Sequence, residues 1–272
     1  MSTEPRTPQR FQLLSDLHLE FPLPSHKHQY DSYTIAACAP YLVLAGDIGL
    51  LCQFSEFLRF LQRVSRDFEH VFLVLGNHEF YRTSRAAGLD AALRLEAQCA
   101  GKVSVMNRRR VDVGDVAVLG CTLHSALSRS AAERERILMG LNDFHLVGGW
   151  GLKEYEDEHR KDLEWLRAEV EAVEEGRKVL VVTHHAPMRR GTSNPVFDGG
   201  VLGSAFASGI LESGGWEKVH TWAFGHTHWC CDFVEEVGGV RVVANQGGYA
   251  REGREGKGEG GGGFVKEFVV EV

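Results

Sequence analysis

Five short apolar runs in this chain each end in side chains able to hold a metal ion or move a proton. The first run ends in Asp16 and His18, the second in Asp47, and the third in Asn77 and His78. The fourth ends in the pair His184-His185 and the fifth in His226 and His228. One Asp or His after a strand is ordinarily a turn former or a helix cap. Five such ends, most with an adjacent glycine, form a constellation. Its donors are carboxylate, imidazole and amide groups without cysteine, which suits borderline divalent ions such as Mn²⁺, Fe²⁺, Zn²⁺ or Ni²⁺. So many donors exceed what one tetrahedral ion takes. They fit two ions sharing a bridging carboxylate and a water. Either of His184 and His185 has the chemistry of a ligand.

In open α/β sheets, ligands bind at the carboxyl ends of strands. Residues as distant as 16 and 228 therefore converge if the runs are strands of packed sheets. FQLLS (11–15), YLVLAGD (41–47) and VFLVLGNH (71–78) are branched and almost continuously apolar, as strands buried on both faces are. From Asp16 to Asp47 is 31 residues and from Asp47 to Asn77 is 30, enough for a strand–crossover–strand unit. Between them, Phe54, Phe57, Leu58, Leu61, Val64 and Phe68 have helical spacing with one buried face. A second helix is expected over Ser84 to Ala100.

Val111 to Cys121 reads as two strands around a turn at Gly114-Asp115. A long helix is expected around Glu154 to Glu175, with Tyr155, His159, Leu163, Leu166, Val170 and Val173 facing inward and the rest charged. KVLVVTHH (178–185) and HTWAFGHTH (220–228) are the next buried strands, and CDFVEEV, VRVVANQ and FVKEFVVEV suggest a C-terminal meander turning at Gly238-Gly239. The glycine-rich stretch 251–263 reads as a flexible loop. It lacks the GxxxxGK[ST] order of a phosphate loop. The expected class is α/β: a four-layer α/β/β/α sandwich of two mixed sheets flanked by helices. One domain over 1–272 is expected from the length and the absence of an evident linker.

With a net charge of −7 and a single dense basic run, Arg108 to Arg110, the chain lacks the basic face of an obligate nucleic-acid binder. No signal-peptide core and no 18-residue apolar stretch occurs, so no membrane partner and a cytoplasmic location are expected. The six scattered cysteines, without CxxC pairs, read as reduced thiols.

The blocks SDLHLEF, LAGDIG, LGNHEF, VTHHAP and FGHTH, in that order, resemble the signature of the calcineurin-like metallophosphoesterase family. The resemblance runs from residue 11 to about 250 and implies the metallo-dependent phosphatase fold with two metal ions at its strand ends. It implies Asp16, His18 and His228 as ligands of one ion, Asn77, His184 and His226 of the other, and Asp47 as the bridge. It implies His78 as the acid that assists the leaving group while a bridging hydroxide attacks phosphorus in line. The family pattern favours His184 over its neighbour as the ligand. His185 is then expected to face substrate or a neighbouring carboxylate. The implied substrate is a small phosphate ester, hydrolysed by a phosphodiesterase or a phosphatase. The competing readings are a non-catalytic interaction module on the same fold, and a protein phosphatase or nuclease.

Other residues carry weaker signals. Arg189 and Arg190 either clamp a phosphate or are solvated loop charges, the latter preferred. His124 is expected at the site rim, though the family often has an aromatic residue there. His145 and Asn142 are ambiguous, and Arg108 to Arg110 reads as a surface run. Trp216, Trp222 and Trp229 are expected in the core or as site walls, Asn245 and Tyr249 near the cleft, and His26 and His28 in a loop.

Overall fold

The computed structural model describes residues 7–22, 28–197, 199–249 and 263–272. In chain order the elements are β1 (Arg10–Leu14), β2 (Tyr41–Ala45), α1 (Phe54–Val64), β3 (His70–Val74), β4 (Thr83–Ser84), α2 (Arg85–Ala97) and β5 (Val103–Val105). There follow β6 (Arg109–Val113), β7 (Val116–Cys121), α3 (Ala131–Gly140), α4 (Asp143–Leu146), β8 (Val147–Gly148) and α5 (Leu152–Ala172). The chain continues with β9 (Lys178–Thr183), β10 (Val219–Phe224), β11 (Cys231–Val234), β12 (Arg241–Ala244) and β13 (Val269–Glu271).

Two mixed sheets result, ordered β13-β1-β2-β3-β5 and β11-β12-β10-β9-β7-β6. Within each, the central pairings are parallel and the edge strands β13, β6 and β11 run antiparallel. The apolar runs are continuous because each strand faces two cores. Phe11, Val43 and Phe72 point between the sheets and meet Val118, Leu180 and Ala223. Leu42, Leu44, Val71 and Leu73 point the other way, onto the α1 and α2 side. Val179, Val181 and Trp222 pack in the same core as Leu166 and Val170 of α5. The four layers expected from the sequence are therefore present.

Three details differ from expectation. β13 does not continue the C-terminal meander. It crosses to the other sheet and pairs with β1, so that Val270 and Val272 fill the space between the sheets. This covers what would otherwise be an open edge. The face of α5 carries a buried carboxylate, Asp162, which accepts the Leu123 amide at 2.8 Å and pairs with Arg108 at 2.5 Å. Arg108 is accordingly an inward clamp and not part of a free surface run; Arg109 pairs with Glu96, and Arg110 with Asp112 and Glu174.

The Gly238-Gly239 turn is as expected, and Glu235 closes it by accepting the amides of Val237, Gly238 and Val240. The six cysteines are free thiols. Among the described residues no helix is long and apolar enough to cross a membrane. The expected flexible loop lies, for 251–262, outside the described residues, as does His26.

Candidate metal centre

The parallel strands β1, β2, β3, β9 and β10 deliver their carboxyl ends to one place. Immediately past them the chain takes left-handed backbone at Asp16, His18, Asp47, His226 and His228, with φ between 47° and 75°. Such values are uncommon for residues other than glycine and cost energy. Here they turn a chain leaving a strand so that its polar side chain points back over the strand ends. Two glycines clear the space. Gly46 has φ of 90°, and a side chain there would also strike the His184 ring. A Cβ on Gly76 would collide with the Asp47 carboxylate.

Two donor clusters result. In the first, Asp16, His18 and His228 converge, with His18 Nε2 at 3.1 Å from His228 Nε2 and the latter at 3.5 Å from Asp16 Oδ1. In the second, Asp47, His184 and His226 converge. His184 Nε2 lies 3.3 Å from Asp47 Oδ1 and 3.0 Å from Asn77 Oδ1. A third triad, His18, Glu20 and His78, overlaps the first.

The donor set fits divalent ions. His184 Nδ1 donates to the Ala45 carbonyl at 2.9 Å, so Nε2 is the atom that faces the carboxylate and amide oxygens; burial opposes a charged ring there, but Asp47 lifts it to about 10, and an ion would take the place of the Nε2 proton. Nε2 of His226 is buried with no hydrogen-bond partner. Burial, and then His184 beside it, hold the His226 pKa well below the ordinary imidazole range, so the ring is neutral. A neutral imidazole is the form that binds metal. Two nitrogens of different rings facing each other at 3.1 Å, as in the first cluster, are likewise suited to share a cation.

Buried carboxylates steady these groups. Glu79 accepts the amides of Asp47, Ile48, Gly49 and Gly76, tying the loops after β2 and β3 together. Asp143 accepts from Asn77 Nδ2 at 2.8 Å and from the Tyr81 hydroxyl at 2.6 Å, which turns the Asn77 oxygen toward His184. Burial opposes ionisation of Asp47, but His184 and His78 outweigh it and hold the carboxyl well below its usual range. Burial also opposes a charged His78, yet Asp47 and Glu20 together lift it to about 9. Sequence reasoning missed Glu20, Glu79, Tyr81 and Asp143. Glu20 and Glu79 stand inside the recognised blocks, so their positions were the available signal. Asp143 had none.

A cleft of about 1350 Å³ opens over the clusters, and Asp47, Asn77, His78, His226 and His228 all line it. Its outer walls include Arg129, Arg189, Asn142, Trp229 and Tyr249. Tyr249 packs on His18 with its ring tilted by 34° and 4.5 Å between ring centres, and places its hydroxyl 3.3 Å from His78 Nε2.

Other candidates lie elsewhere. His185 is fully buried; it packs behind His226 at 4.0 Å between ring centres and pairs with the Ser125 hydroxyl, facing neither cleft nor carboxylate. His124 is not at the rim but buried among Trp150, Tyr155 and His185. Both departures follow from the inter-layer packing behind β9, which leaves these rings no path to solvent. His145 is exposed and contacts the Met139 carbonyl. Asn245 is spent on the backbone of Leu13 and Val265. Trp216 and Trp222 pack on each other in the core, and His28 lies against Tyr30.

The sequence model of the calcineurin-like phosphoesterase family matches residues 10–230. Uncharacterized protein L509 of Acanthamoeba polyphaga mimivirus is 26% identical over 231 residues, which cover 78% of this chain and 79% of that protein. Among solved structures, phosphopantetheinyl hydrolase from Mycobacterium tuberculosis superposes with a TM-score of 0.70 at 19% identity, over 98% of this chain and 96% of that one.

Proposed function

The chain belongs to the calcineurin-like phosphoesterase family and is a metal-dependent phosphoester hydrolase, and from that premise we propose that it cleaves small phosphate esters at a two-ion centre in the cleft. The observation that carries this reading is the convergence of two His/carboxylate clusters beneath one cleft, with His78 on its wall. Asp16, His18 and His228 would hold one ion, and Asn77, His184 and His226 the other, with Asp47 between them. Two such ions neutralise phosphoryl oxygens and make a water acidic enough to react near neutral pH. Both sheets contribute donors, which makes one catalytic unit of them.

The protein's own share is positioning and charge. Asp47 has an oxygen to offer each side. Asn77 supplies a neutral oxygen, which limits negative charge where a phosphate anion must enter. In-line attack by water expels the ester oxygen on the far side, and His78 is the charged imidazole on the wall able to protonate it. Arg129 and Arg189 add positive charge along the approach.

The test strips the protein of metal, restores Mn²⁺, and compares bis-p-nitrophenyl phosphate with p-nitrophenyl phosphate, with Asp47→Asn as control. Diester cleavage lost in the control identifies a phosphodiesterase; monoester cleavage alone identifies a phosphatase. A phosphopantetheinyl ester belongs in the panel, since a protein of the same fold is a hydrolase of that group. A phosphopeptide belongs there too. Turnover of the phosphopeptide alone, or of nothing under several metals, sinks the small-ester reading.

A further inference from the structure

We propose that Glu20 is a positioning residue that holds the Nδ1–H of both His18 and His78, and so couples an ion ligand to the proton donor. This rests on the function proposed above. Glu20 Oε1 stands 2.9 Å from His78 Nδ1 and 3.3 Å from His18 Nδ1. One carboxylate oxygen therefore accepts from two imidazoles whose ring centres are 4.4 Å apart. The Glu20 side chain is only 6% exposed, so water does not compete for these bonds. The local chain makes the arrangement. His18 has a φ of 47°, and the Phe21 amide donates to the His18 carbonyl at 3.1 Å, closing a turn that folds residue 20 back beneath residue 18. Phe21 then closes the outside, with ring centres 5.8 Å from His18 and 6.3 Å from His78.

The consequence for each ring is the same. A proton held at Nδ1 by a carboxylate leaves Nε2 as the working atom. His18 Nε2 faces His228, where it would bind an ion. His78 Nε2 faces the Tyr249 hydroxyl on the cleft wall, where it would meet the leaving oxygen. The triad His18, Glu20 and His78 could instead be taken for a third ion site. That would need His18 to bind ions through both nitrogens, as an imidazolate, whereas a carboxylate at hydrogen-bond distance from Nδ1 calls for a proton there.

Glu20→Ala removes both hydrogen bonds, and Glu20→Gln keeps the shape and one acceptor oxygen without the charge. Chelator competition on the full-length protein should show the first-ion affinity weakened by about 10–100-fold in Glu20→Ala, the usual cost of losing such a partner. His78→Ala should leave that affinity unchanged. With alkyl esters, whose leaving oxygen needs a proton, kcat should fall by about 10–100-fold with KM little changed. The p-nitrophenyl esters, which depart without one, should lose less. Glu20→Ala added to His78→Ala should cost no further kcat beyond that caused by weaker metal binding, measured at saturating metal. Glu20→Gln should fall between wild type and Glu20→Ala in every readout, and serves alone if the alanine variant does not fold.

Three results would overturn the inference: unchanged metal affinity, an equal loss for both leaving groups, or loss of a third ion per chain. If wild type cleaves no ester while Glu20→Ala still weakens metal binding, the proposed function fails and the link from Glu20 to His18 stands.

Discussion

A single methyl group placed at Gly76 tests whether the site is as tightly built as its geometry indicates. The Cβ of Gly76→Ala would meet the Asp47 carboxylate, the Asp47 backbone nitrogen at 2.7 Å and His184 Nε2 at 2.8 Å. None of these is the free end of a flexible chain. The backbone nitrogen of Asp47 is held by Glu79 at 3.0 Å, the Gly76 amide by the same carboxylate at 2.7 Å, and His184 by the Ala45 carbonyl. The crowding must be relieved by moving Asp47 and His184, which is overpacking of a well-packed interior at about 1–3 kcal/mol. For a chain of 272 residues this lowers Tm by about 2–5 °C. Displacing two expected ligands by a sizeable fraction of an ångström should cut kcat by about 100-fold. Gly148→Ala is the control, because its Cβ would find only ordinary contacts, the nearest at 3.7 Å. Thermal melts and Mn²⁺-dependent turnover read both effects. A Gly76→Ala protein that melts and turns over like Gly148→Ala would refute the close approach of the second and third strand ends.

Asp47→Asn should abolish turnover and lower bound metal, measured by elemental analysis after gel filtration; near-normal activity and metal content would remove Asp47 from the bridging position. Asp143→Ala leaves the Asn77 amide held by the Tyr81 hydroxyl alone, itself without its carboxylate partner, and should weaken metal binding by about 10–100-fold in chelator competition. Asp162→Ala leaves Arg108 paired with Glu158 alone and the buried Leu123 amide without its acceptor, so a cost of about 1–3 kcal/mol is expected in urea unfolding. Glu235 should shape the acid limb of stability. Burial opposes its charge, but the amides of Val240, Val237 and Gly238 outweigh it, so its folded pKa lies below the ordinary 4.5. Its contribution is present above that ordinary value and is lost as pH falls through the lower folded one. Glu235→Gln should therefore flatten the pH dependence of Tm below about pH 5.

The strand ends were legible because burial on both faces makes each strand a continuous apolar run, and a polar residue after such a run is conspicuous. Asp16, His18, Asp47, Asn77, His184, His226 and His228 stood out for that reason, and the structure brings them together. What supports them did not stand out. Asp143 lies in a four-residue helix after a stretch where Ile137 is the one buried residue of α3, so no periodicity marked that segment as a site wall. Asp162 sits among the acidic residues of α5 and is distinguished only by Arg108, which is 54 positions away. His124 and His185 looked like site residues by type, yet their burial is decided by Trp150, Tyr155 and Ser125 from other segments. The path of β13 was hidden for a related reason. Its alternation fits either sheet edge, and the choice is made by the vacancy beside β1.

These supporting contacts explain how seven polar groups stay ordered at the bottom of a cleft. The non-ligating atoms are fixed by the protein itself: His184 Nδ1 by a backbone carbonyl, His18 Nδ1 by Glu20, Asn77 Nδ2 by Asp143, and the Asp47 amide by Glu79. The atoms left over converge. An ion entering such a site binds groups that already hold their tautomer and orientation, so little ordering entropy remains to oppose it. The anchors come from the ends of β1, β2 and β3 and from the α4 wall. A change in any one of Glu20, Glu79 or Asp143 should therefore weaken metal binding without touching a ligand. Because Asn77 and His184 share one cluster, losses from Asp143→Ala and Gly76→Ala should be less than additive there, whereas Glu20→Ala acts on the other cluster and should combine with either independently.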